Sequence, residues 1–179
     1  LAVDKVTDVA SLQEFPFTAI SQPAGILPAT FTLIGGGTPQ AFSGISAGTE
    51  ITIKEDVPTA TPPRWSLADI ECDGTANSPS YAVDGASVTL GAGEDADCTF
   101  FNSQVPPATV QIVQAADPAD GTEFNFTAAG ADGGVLLADR SFTLKPDGDI
   151  DVKTLTVYPN ESGEQFRFAE PTVPADWNL

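Results

Sequence analysis

The chain has 179 residues, with 7 Lys and Arg against 25 Asp and Glu, a formal charge of −18. Such a charge argues against nucleic acid or an anionic membrane surface as partner, because either would be repelled. With no His anywhere, a His-based triad, a His-ligated zinc site and His-ligated haem are excluded. Hydrophobic residues make up 41 % of the chain, too many for a disordered polymer. No apolar run approaches the ~20 residues that span a bilayer. No signal peptide or sorting tail is visible, so both ends read as cuts from something longer.

In chain order, short β-branched or aromatic runs recur: Phe15–Ile20, Ile51–Glu55, Ser87–Leu90, Cys98–Phe101, Thr109–Gln114, Phe124–Ala128, Thr154–Tyr158 and Phe166–Phe168. Several alternate with period two, as half-buried strands do. Clusters of Gly, Pro, Asp and Asn separate them, for example Ile34–Gln40, Val83–Ser87, Gly91–Asp95, Ala116–Gly121 and Tyr158–Gly163. No stretch of about ten residues shows a helical apolar face. The fold class expected from these runs is all-β and sandwich-like.

The sequence also repeats itself. Glu14-Phe15-Pro16-Phe17-Thr18-Ala19 returns as Glu123-Phe124-Asn125-Phe126-Thr127-Ala128. Val3-Asp4-Lys5 aligns with Ile112-Val113-Gln114, and Phe31-Thr32-Leu33 with Phe142-Thr143-Leu144. Glu55 to Pro58, followed by Trp65-Ser66-Leu67, matches Glu170 to Pro174, followed by Trp177-Asn178-Leu179. Five anchors in one order define two copies. Residues 1–105 form a complete sandwich repeat; residues 108–179 form a second repeat without its last strands. Gln104 to Ala108 is a short, stiff, Pro-containing join. An open sandwich exposes strand edges and apolar core. The second copy is therefore expected to be completed by continuing chain or by a strand from another chain.

Lys5 in an early strand, Phe15 and Phe17, Gly48, Glu55, Val57 and Pro58, Trp65 and Leu67, Ile70-Glu71-Cys72-Asp73-Gly74 and Cys98-Thr99-Phe100-Phe101-Asn102 form one ordered pattern. It resembles the prealbumin-like B-type repeat domains of bacterial surface proteins, relatives of the collagen-adhesin B-type and SpaA pilin modules. The resemblance covers the first copy and about two thirds of the second. It implies seven-stranded Greek-key sandwiches in tandem on secreted or cell-surface stalks, pili and adhesins. It also implies an intramolecular isopeptide bond between Lys5 and Asn102, assisted by Glu55. That chemistry needs a buried, neutral Lys amine as nucleophile and a buried, protonated Glu to polarise the carboxamide. The ordinary alternative has Lys5 reaching solvent, Glu55 as a strand-edge charge and Asn102 capping a turn. Gln114 stands where Lys5 stands, so no such bond is expected in the second copy.

Cys72 and Cys98 fall on two expected strands separated by one hairpin-like segment. An even count in an acidic, Met-free β chain argues for a disulfide and an oxidising compartment; two Cys without His make a poor zinc site. Asp147, Asp149 and Asp151 alternate, and oxygen-rich loops hold Ca²⁺, but the twelve-residue loop with its final Glu is not reproduced. Solvated turn residues are the favoured reading there and at Asp117 and Asp120. No cofactor is expected. Asn125 and Asn160 head glycosylation acceptor triplets, and Asn160, in a turn, is the more accessible. Trp65 and Trp177 read as core plugs. No nucleophile elbow, phosphate loop or dinucleotide fingerprint occurs, so the chain is not expected to be an enzyme. The functional expectation is a structural stalk, filament or adhesin segment, secreted or on a cell surface, whose partners are copies of itself. The alternatives are a ligand-binding module of an adhesin and an accessory domain of a secreted enzyme.

Overall fold

The computed structural model describes residues 1–23, 30–59, 63–118, 120–130, 134–135, 137–148, 150–159, 165–175 and 177. Fourteen strands and one short 3₁₀ turn (Leu137–Asp139) make up its regular structure. The chain divides into two compact units, Leu1–Pro58 with Trp65–Gln104, and Thr59–Arg64 with Val105–Leu179.

In the first unit the strands are β1 (Ala2–Thr7), β2 (Glu14–Gln22), β3 (Thr30–Ile34), β4 (Gln40–Ala41), β5 (Glu50–Glu55), β6 (Trp65–Asp73), β7 (Ser80–Ala82), β8 (Gly85–Thr89) and β9 (Asp97–Gln104). They form two sheets, ordered β4-β1-β9-β6 and β3-β2-β5-β8-β7. Strand β2 shows why: its residues alternate exposed and buried along its whole length, with Phe15, Phe17 and Ala19 inward. One face packed and one face wet is what period-two sequence produces in an antiparallel sheet. The core is one cluster, with Val3, Phe15, Phe17, Ile51, Ile53, Trp65, Val88, Cys98 and Phe100 almost wholly enclosed. Phe17 stacks on Phe31 at 5.2 Å and meets Phe100 edge-on at 5.1 Å.

Two glycines are there because nothing larger fits. Gly74, just past β6, has φ +84°, and a Cβ on it would lie 2.0 Å from the Asp95 carbonyl oxygen. Gly85 opens β8 beside β5, where a Cβ would lie 2.2 Å from the Ile53 carbonyl oxygen. Both are close backbone approaches.

The strands of the second unit are β10 (Ala108–Ala115), β11 (Phe124–Gly130), β12 (Ser141–Leu144), β13 (Ile150–Val157) and β14 (Phe166–Ala169). Strand β10 pairs β13, and β11 lies between β12 and β14. The repeat read from the sequence is carried at the level of register. Phe15 opposes Leu33 and Phe17 opposes Phe31; Phe124 opposes Leu144 and Phe126 opposes Phe142. Phe126 stacks on Phe142 at 5.4 Å as Phe17 does on Phe31. Phe15 meets Trp65 edge-on at 5.4 Å, and Phe124 meets Trp177 edge-on at 5.3 Å. In both copies the Trp amide donates to the carbonyl of the preceding Val-Pro proline, Pro58 or Pro174, at 3.2 Å. Asn178 and Leu179 lie outside the described residues.

The copies differ at one edge. Strand β1 runs parallel to β9 over six residue pairs, Ala2 with Asp97 through Thr7 with Asn102. Among the described residues, β10 has no strand on that side. Correspondingly Val3 is fully buried, whereas its counterpart Ile112 is half-buried.

Candidate functional site

The parallel pairing of first and last strands brings three polar side chains into the first unit's core. Lys5 is the inward residue of β1 after Val3, Glu55 ends β5, and Asn102 is inward on β9. All three are buried, with Lys5 at 0 %, Asn102 at 2 % and Glu55 at 5 % exposure. Buried charges persist only when paired. Lys5 Nζ lies 3.6 Å from Glu55 Oε1 and donates to the backbone carbonyls of Phe100, at 2.8 Å, and Val6, at 3.2 Å. Its ammonium sits over the Phe15 ring, Nζ 4.8 Å from the centroid. The Asn102 carboxamide donates from Nδ2 to Glu55 Oε1 at 2.6 Å.

The electrostatics push both ions toward neutrality. Burial lowers Lys5 to about 8, against the upward pull of the Glu55 carboxylate. Burial likewise raises Glu55 above the usual carboxylate range, opposed by the Lys5 charge and the Asn102 hydrogen bond. Desolvation wins in each because neither side chain reaches water. Glu55 Oε2 and Asn102 Oδ1 have no hydrogen-bond partner among the described residues. A half-turn of the carboxamide would exchange its nitrogen and oxygen and present the Asn102 carbonyl oxygen to Glu55.

The solvent-reaching alternative for Lys5 does not occur, nor does Asn102 cap a turn. Sequence reasoning did not single out the two carbonyls that hold Nζ. Backbone acceptors carry no residue signature; only topology shows them. Phe15 was legible as a core residue, not as the ring beneath the amine.

Cys72 and Cys98 form a disulfide between β6 and β9, where they are directly opposed. The hydroxyl of Tyr81 accepts from the Cys72 amide at 3.2 Å. In the second unit Gln114 occupies the Lys5 position and is half-exposed on β10, its side chain donating to the Ala115 carbonyl. Glu170 follows β14 as Glu55 ends β5, and its Oε1 is buried without a partner among the described residues.

The remaining candidates are dispersed. Asn125 lies exposed on β11 and its Oδ1 accepts from Thr143 Oγ1 at 2.9 Å. Asn160 and Asp149 lie outside the described residues. Asp151 accepts from the Lys145 and Val152 amides, and Asp120 from the Thr122 amide and hydroxyl, so these carboxylates order turns. Among the described residues no cluster of three or more acidic or Cys side chains has metal-binding geometry. Trp65 is buried and Trp177 half-buried against Phe124.

The prealbumin-like fold domain family of the SpaA type matches residues 1–104. The chain belongs to that family. Membership suggests a structural module of the surface or pilin type, and the all-β architecture described above agrees with the prealbumin-like fold. No curated protein matches the chain. No helix among the described residues is long and apolar enough to cross a membrane.

Proposed function

We propose that this chain is a structural segment of an extracellular stalk, filament or adhesin, and that its first unit closes itself by an isopeptide bond between Lys5 and Asn102. The observation that carries the reading is the burial of Lys5, Glu55 and Asn102 together where the first and last strands of the unit run side by side.

The step is an amide exchange. The Lys5 ammonium passes a proton to Glu55, giving a neutral amine and a carboxylic acid. With Lys5 near 8, about a tenth of the amine is neutral at pH 7 on its own titration. Glu55 donates to the carboxamide oxygen while Nζ attacks Cγ of Asn102. Collapse of the tetrahedral adduct breaks the Cγ–Nδ2 bond, and Glu55 relays a proton from Nζ to the leaving nitrogen. The products are a Lys5–Asn102 amide and one ammonia. Enclosure by Phe15, Phe17 and Phe100 excludes the water that would hydrolyse the adduct.

Intact mass tests the reading. The wild-type chain is expected about 17 Da below the mass of its disulfide-bonded sequence, the mass of one ammonia. Lys5→Ala, Asn102→Ala and Glu55→Ala should each restore the uncorrected mass. An unchanged wild-type mass overturns the cross-link. In its finer form the reading includes self-association by strand addition, supported by the side of β10 that carries no strand among the described residues. Electron microscopy of native material should then show linear assemblies; isolated monomers at working concentration would count against it.

A further inference from the structure

The cross-link chemistry accounts for Lys5, Glu55 and Asn102 but leaves the disulfide without a role beyond a staple. Its location on β9 is informative. Three successive inward positions of that strand carry Cys98, Phe100 and Asn102, each 2 % exposed or less. Phe100 packs its ring on Phe17 and offers its carbonyl to Lys5 Nζ. Cys98 is tied to Cys72 on β6, and Asn102 is the electrophile. One strand face thus holds the covalent pin, the amine-holding carbonyl and the reacting carboxamide in sequence.

The partner strand makes the pin consequential. Strand β6 opposes β9 as Cys72 to Cys98, Ile70 to Phe100 and Leu67 to Asn102, with a register shift between Leu67 and Asp69 at Ala68. The extra residue is what allows Cys72 and Trp65 both to face the core although they lie seven positions apart, an odd step that would put them on opposite faces of a regular strand. A ladder with such an irregularity has neighbouring registers that a regular ladder lacks. A slip of one residue would turn the inward face of β9 outward. A slip of two by β9 against both of its neighbours, β1 as well as β6, would carry the Asn102 carboxamide about 7 Å along the strand, out of reach of Lys5 and Glu55. Misplacement of about 1 Å at a reacting centre already costs on the order of a hundredfold in rate.

We infer that the Cys72–Cys98 disulfide is a positioning element for the Lys5–Asn102 reaction, fixing β9 in the one register that delivers Asn102 to the amine. This rests on the cross-link proposed above. It makes closure of the unit sequential: oxidation first, with the two thiols giving two electrons and two protons to a disulfide oxidant, and ammonia release second.

The experiment follows the full chain as it is made. Residues 1–179 are pulse-labelled in a cell-free reaction under dithiothreitol, then chased with or without glutathione disulfide. Ammonia loss is timed by intact mass. The wild type is expected to cross-link at least tenfold faster after oxidant is added. A Cys72→Val/Cys98→Val variant keeps buried volume and strand preference but has no pin. It should cross-link at the slow rate with or without oxidant, while circular dichroism and trypsin resistance show the first unit folded. Equal rates for reduced and oxidised wild type, or a folded Val pair as fast as oxidised wild type, overturn the positioning role and leave the cross-link standing. Absence of ammonia loss in the oxidised wild type overturns both.

Discussion

Lys5 is an expensive residue to enclose, and everything within reach of its amine is arranged around that cost. Two carbonyls, one carboxylate and one aromatic face surround it. An Asn102→Ala variant would keep the pair unreacted and reveal its titration. Lys5, held near 8 instead of 10.5, binds fewer protons folded than unfolded between those values. The penalty is full below about pH 8 and is relieved as pH rises toward 10.5, so stability of the variant climbs through that window. Glu55, raised by burial, has the opposite slope: stability falls as pH rises from 4.5 through its folded value. Urea midpoints at pH 8 and pH 10 check the first statement. The gain in Asn102→Ala should exceed that in Lys5→Met/Asn102→Ala; equal gains would refute the placement of Lys5. If the wild type closes by the proposed cross-link, its Lys5 is an amide and it should lack this gain.

At the scale of elements, the runs that alternate cleanly, such as Phe15–Ile20 and Phe124–Ala128, were legible as strands because one side of each is core. Strands β4 and β7 were not. They have two and three residues, and their pairing, not their composition, defines them. Strand β1 was visible only through the family pattern, because its inward positions read Val3 then Lys5, which breaks an apolar alternation. The site was legible as three residue types in an order; the two carbonyls that complete it are backbone of β1 and β9 and carry no residue signature, and the ring comes from β2. Close strand contacts give a second prediction. Gly85→Ala should destabilise the first unit by about 1–3 kcal/mol, since the added methyl must displace the Ile53 carbonyl. Phe17→Ala, which removes a ring contacting both Phe31 and Phe100, should cost about 3–5 kcal/mol. Thermal or urea unfolding of each variant measures both.

For the whole molecule, the two units share a register of aromatic pairs but not their covalent reinforcement. Both cysteines lie in the first unit, and Gln114 cannot serve as a nucleophile in the second. Reductant should therefore lower the melting transition of the first unit, with a loss of about 2–5 kcal/mol, and leave that of the second where it was. A scan in which both transitions move together would contradict the assignment. The formal charge of −18 keeps such chains mutually repelling at low salt, so assembly should strengthen as ionic strength rises.

The side-by-side, same-direction course of β1 and β9 has a mechanical corollary. A tether pulled from the two ends of the first unit grips neighbouring strands whose backbones point the same way, so the ladder is sheared as a row and cannot be unzipped rung by rung. Were Lys5 joined to Asn102 as proposed, the tension would cross from one strand to the other through a single amide. Roughly 300 Å of potential slack, at about 3.4 Å per residue, would then never be released.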